Sequence, residues 1–65
     1  MNVNEMAAEL VQLAGSQTAA ADASGVSQAT ISKLLTGAAN QDGVKLATIS
    51  GIKKALTRLR RKKRG

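Results

Sequence analysis

Charged side chains are the main chemical resource of this sequence. Ten are Lys or Arg and four are carboxylates, in 65 residues with neither histidine nor cysteine. Thiol catalysis, imidazole acid–base chemistry, disulfide stapling and zinc sites of cysteine/histidine type are therefore excluded. The carboxylates Glu5, Glu9, Asp22 and Asp42 are scattered rather than paired, so nothing resembles an acid–base dyad. No enzyme, cofactor or small-molecule substrate is expected. The cations are all on one side of the chain. Residues 1–32 carry a net charge of −3 and residues 33–65 a net of +9, and six of the seven residues from Arg58 to Arg64 are basic. A half-chain this positive seeks a polyanion, and nucleic acid is the commonest one in a cell. The plainer alternative is a solvated run that only keeps the chain dispersed.

The elements that must position these groups read as helices throughout. Proline and aromatics are absent, alanine is frequent, and no β-branched run alternates with polar residues. Asn2 and Glu5 stand in capping-box spacing, with Asn4 as a second candidate cap. Val3, Met6, Leu10 and Leu13 then share one face of a helix over about 4–14, which Gly15 closes. Ser16 is placed to cap a short second helix ending at Gly25, and Ser27 a third, QATISKLLT, ending at Gly37. GAANQDG is a loop by composition. Asp42 is the expected cap of a fourth helix to about residue 60, with residues 62–65 fraying. Ile49, Ile52, Leu56 and Leu59 form its apolar stripe. The fold class is all-α, four helices or at most five, with 1–59 as the domain and 60–65 as a basic tail. A chain this short buries only about 60% of its unfolded surface, so its stability is thin.

Two short helices around a tight glycine turn outline a helix-turn-helix, and the residues carry a resemblance further. Gln17 to Leu35, QTAAADASGVSQATISKLL, resembles the helix-turn-helix of the phage repressor and Cro (XRE-like) family, with the motif over 17–36. Ala21 stands where that family wants a small residue, and Gly25 occupies its turn. Val26, Ile31 and Leu34 match the apolar positions that lock the second motif helix to the first. Gly43 to Leu56, GVKLATISGIKKAL, is similar to the family's next helix, with Leu46, Ile49, Ile52, Ala55 and Leu56 in apolar register. The sequence departs from the pattern at Ser24, where the family usually has an apolar residue, which implies a looser seam. Helix 1 lacks the basic residues many relatives use on phosphates. Leu59 is followed at once by RRKKRG where relatives carry a dimer-forming element, so their dimer geometry does not carry over.

The resemblance implies a double-stranded DNA-binding transcriptional regulator of phage or mobile-element type, in the bacterial cytoplasm or nucleoid, or in the host cell of a phage; repression is expected because so small a domain has no spare surface for an effector or catalytic module. A helix in the major groove presents its outward N-terminal residues to base edges. Here these are Gln28, Ala29, Ser32 and Lys33. Glutamine pairs bidentately with adenine, and the family places a base-reading glutamine at the position of Gln28. Gln17 resembles the residue that binds a phosphate and braces the recognition helix. Ser27, Asn40, Lys45, Arg58, Arg60, Arg61, Lys62, Lys63 and Arg64 are the further expected contacts to phosphates or a narrow minor groove. Removing residues 60–65 is expected to flatten the salt dependence of binding, by about 0.9 per lost phosphate contact.

A homodimer is expected, because one helix-turn-helix offers few base contacts. In that arrangement Ile49 and Ile52 face inward while Leu56 and Leu59 face a partner. A nucleoid-associated silencing protein is the alternative within DNA binding. A cationic amphipathic membrane-surface peptide over 46–64 is the alternative from another class; no Trp or Phe anchors it. No apolar run reaches the roughly 20 residues of a membrane span, and no secretory segment follows Met1, so a soluble intracellular protein is expected.

Overall fold

Three of the four helices begin and end by the same local rule. In the computed structural model, which describes residues 2–40 and 43–64 apart from the side chains of Lys63 and Arg64, α1 spans Val3–Ala14. Asn2 is extended, and its Oδ1 accepts the Glu5 N–H at 2.9 Å. Ser16 Oγ likewise accepts the Ala19 N–H at 3.1 Å to start α2, Gln17–Ser24. Ser27 Oγ accepts the Thr30 N–H at 3.2 Å to start α3, Gln28–Thr36. Each cap satisfies an amide that the helix itself cannot. Gly15, Gly25 and Gly37 close the three helices. At Gly25 the φ of +72° lets the chain reverse between α2 and α3, a conformation that costs any residue with a Cβ.

The fourth helix departs from expectation at both ends. α4 spans Leu46–Arg64, so it begins later than a cap at Asp42 would place it. Asp42 and Gln41 lie outside the described residues. Lys45 O accepts the N–H groups of Thr48 at 3.0 Å and Ile49 at 3.2 Å, which makes Lys45 the residue at the helix start. The helix does not fray from residue 62. Leu, Arg and Lys are good helix formers, and cations in the last turn complement the negative end of the helix dipole.

The core is built around α1. Val3, Met6, Ala7 and Leu10 are buried there with Ala20 of α2, Ile31 and Leu34 of α3, and Ile52, Ala55 and Leu56 of α4. α1 packs against all three other helices; α3 and α4 each pack against α1 and α2. Two sequence expectations are corrected here. Leu56 is 3% exposed and belongs to the monomer's own core, so it does not face a partner. Leu46 is 84% exposed rather than in the apolar register, because it sits in the first turn of α4, short of the seam. The residue of α2 that is fully buried is Ala20, while Ala21 is half-buried against the core.

Two tertiary contacts hold this arrangement. Asn4, one of the two candidate caps, does not cap α1. Its Nδ2 donates to Leu34 O at 2.9 Å and Ala39 O at 2.8 Å, tying the start of α1 to the end of α3. Gly51 lets α4 approach the end of α2 closely. A Cβ placed on it would stand 2.7 Å from Ser24 O. Ser24 itself is satisfied: its hydroxyl donates to Ala20 O at 2.8 Å and accepts the Val26 N–H at 3.3 Å.

Candidate nucleic-acid interface

α3 separates its two faces sharply. Ile31 and Leu34 are buried, Val26 is half-buried just before the helix, and Ser27, Gln28, Ala29 and Lys33 are exposed. The apolar residues thus anchor α3 on α1 and α2 while its N-terminal turn points outward. Ser32 is half-buried, which leaves it less reach than the other three expected base contacts. Ser27 spends its hydroxyl locally, on the Thr30 N–H and on Thr30 Oγ1 at 2.8 Å. Any contact it makes to an anion must come with that cap in place.

Gln28 is held rather than loose. Thr18 Oγ1 donates to Gln28 Oε1 at 3.2 Å across the cleft between α2 and α3. An amide oxygen accepts two hydrogen bonds, so the brace leaves one acceptor site and both N–H donors for a base edge. That is the requirement for the bidentate pattern that glutamine makes with adenine. Thr18, ten residues away, has no pattern in the sequence that marks it for this role. Gln17, the residue singled out from the sequence, is the half-buried first residue of α2. The same cleft is lined by Asp22, an exposed carboxylate beside a surface that would meet phosphates.

At the other end of α3, Lys33 and Asn40 line one concavity with Thr30 and Gly43. The Asn4 bonds to Leu34 O and Ala39 O fix the backbone that carries both residues. Lys45, at the start of α4, is exposed. The concavity thus joins Thr30 and Lys33 of α3 to Asn40, Gly43 and Val44 in the loop before α4.

One of the C-terminal cations is engaged. Arg60 Nε donates to Glu9 Oε2 at 2.6 Å, joining α4 to α1. The hydrogen bond from Arg60 holds the Glu9 carboxyl below the ordinary glutamate range, and the same bond raises the Arg60 guanidinium. Arg60 is thus a structural tie in this conformation, whereas Arg58, Arg61 and Lys62 are exposed. Among the described residues, none of these three has an ion-pair partner. The side chains of Lys63 and Arg64 lie outside the described residues. No helix among the described residues is long and apolar enough to cross a membrane.

No curated protein and no solved structure matches the chain. A helix-turn-helix family model does match, over residues 6–52. That span runs from the first turn of α1, through the α2–Gly25–α3 turn, to Ile52 in the α4 seam. The match covers well over half of the chain and contains the outward turn of α3 with its Gln28. The chain therefore belongs to the helix-turn-helix family of XRE type, whose members are DNA-binding regulators rather than catalysts.

Proposed function

We propose that the protein is a sequence-preferring regulator of the Cro/repressor kind, from a phage or mobile element, with α3 seated in the major groove of double-stranded DNA. One observation carries this reading. Gln28 is exposed at the start of α3 with its amide oxygen braced by Thr18, while Ile31 and Leu34 fix the helix from behind. Gln28 reads adenine, Lys33 reaches guanine acceptors or a phosphate, and Ala29 offers apolar contact to a thymine methyl. Ser32 stands nearby as a minor contact. Gln17, Ser27, Asn40 and Lys45 meet the phosphates on either side, fixing register without reading sequence. α3 carries a single cation and few base-reading groups, so two copies share a two-fold site as a homodimer. Repression follows from occupying a promoter.

Selection from a random duplex pool gives the preferred site and its half-site spacing. Gln28→Ala should then lose about 1–3 kcal/mol of discrimination between that site and a scrambled one. It should keep its affinity for the scrambled duplex. An unchanged preference would overturn the assignment of α3 as the reading element. Sedimentation followed by refractive index, since the chain has neither Trp nor Tyr, reports whether two copies associate.

A further inference from the structure

α4 carries a row of cations in register with Gly51. A Cβ on Gly51 would stand 2.7 Å from Ser24 O and 3.7 Å from Val26 Cγ2, so this side of α4 lies against the turn that leads into α3. Lys54, Arg58 and Lys62 follow Gly51 by three, seven and eleven residues, which keeps them on the same side of the helix. All three are exposed. The face that the turn covers at residue 51 is therefore open one helical turn later. Arg60, nine residues from Gly51, stands on the opposite side, where it pairs with Glu9 of α1. Among the described residues, no ion pair engages Lys54, Arg58 or Lys62.

The turn itself belongs to the candidate reading surface. Gly25, Val26 and Ser27 line one cleft with Gln28 and its brace Thr18, and the cation row starts beside that turn. Residues 1–32 contain no cation and α3 contains only Lys33. The helix that would enter a groove thus supplies little attraction of its own. Lys54 and Arg58 stand four residues apart, as do Arg58 and Lys62, so like charges face each other along the helix. A strand of regularly spaced phosphates relieves that repulsion. From Lys54 to Lys62 the helix rises about 12 Å, a length over which one strand of a duplex carries roughly three or four phosphates.

We infer that Lys54, Arg58 and Lys62 hold the phosphate backbone of the same duplex that α3 reads, beside the α2–α3 turn. The row supplies affinity without sequence preference, and α3 supplies the preference. This rests on α3 reading that duplex.

The full-length chain tests it in two ways. The variant Lys54→Gln/Arg58→Gln/Lys62→Gln should bind the selected site and a scrambled duplex more weakly by the same factor, roughly tenfold or more, with its salt slope flattened by about 2.7. Its melting temperature should not fall, because exposed like charges are removed. An unchanged slope overturns the inference, as does weaker binding to one of the two duplexes only. The chain has no cysteine, so Arg58→Cys and Lys53→Cys each give one attachment point for an iron chelate that cuts nearby DNA backbone. Lys53 is exposed five residues before Arg58, well round the helix from the row. On a duplex with one selected site, the chelate at position 58 should cut at fixed positions flanking the base that Gln28 reads. The chelate at position 53 should cut several-fold less. Cutting spread evenly along the duplex, or equal from both positions, overturns the inference, and this readout does not depend on the triple variant folding. The two readings fail separately: Gln28→Ala reports site preference, whereas the salt slope and the cutting pattern report the row.

Discussion

At residue 51 the backbone of α4 comes so close to the end of α2 that a single methyl group decides the packing. In a free helix, Gly→Ala stabilises by about 1 kcal/mol. Here the new Cβ would lie 2.7 Å from Ser24 O, and overpacking against a fixed backbone costs about 1–3 kcal/mol. The clash outweighs the propensity gain, so Gly51→Ala should lower the urea midpoint followed by far-ultraviolet circular dichroism. Ser50→Ala, at the neighbouring exposed position, should raise it slightly. The Glu9–Arg60 pair makes a second prediction at this scale. Glu9 titrates below its unfolded value in the folded protein. Its contribution is therefore present above the ordinary glutamate range and is lost as the pH falls through the lower folded value. Both side chains are partly exposed, so the effect is small. Glu9→Gln should remove that part of the acid dependence of the melting temperature, and an identical pH profile would refute the pairing.

Between elements, the start of α1 is fastened to the end of α3 through one carboxamide. Asn4→Ala removes both Nδ2 bonds and leaves Leu34 O and Ala39 O without that partner, at a cost of about 1–3 kcal/mol. Asn4→Asp should be worse, because it sets a carboxylate against two carbonyl oxygens. Equilibrium unfolding of the two variants checks the order, and equal midpoints would rule out the donor role. The elements themselves were largely legible from the sequence. Asn2, Ser16 and Ser27 cap as their side chains dictate, and glycine ends each of the first three helices. These are local rules that act within four residues. The start of α4 was not legible, because Lys45 begins the helix with no side-chain acceptor to mark the place. Its far end was misjudged because a charge run reads as a solvated tail, although every residue in it is a good helix former.

For the molecule as a whole, salt should act with opposite signs on stability and on DNA binding. Cations on α4 stand in like-charged pairs, each costing about 0.2–0.5 kcal/mol in an isolated helix, and the chain carries +6 overall. Added salt screens that repulsion, so the melting temperature of the free protein should rise with ionic strength. Over the same range duplex affinity should fall, since each phosphate contact releases counterions. A melting temperature that falls with salt would mean that attractions such as Glu9–Arg60 outweigh the crowding on α4. The sequence by itself determined the helical class, the caps, the glycine turn and the concentration of charge in one half, because each depends on residue type and near spacing. Only the tertiary structure decided that Thr18 braces Gln28, that Asn4 locks α3, that Leu56 is core, and that Arg60 of α4 pairs with Glu9 of α1. Those facts join residues that lie far apart along the chain, and spacing in a sequence carries no information about which distant backbones will meet.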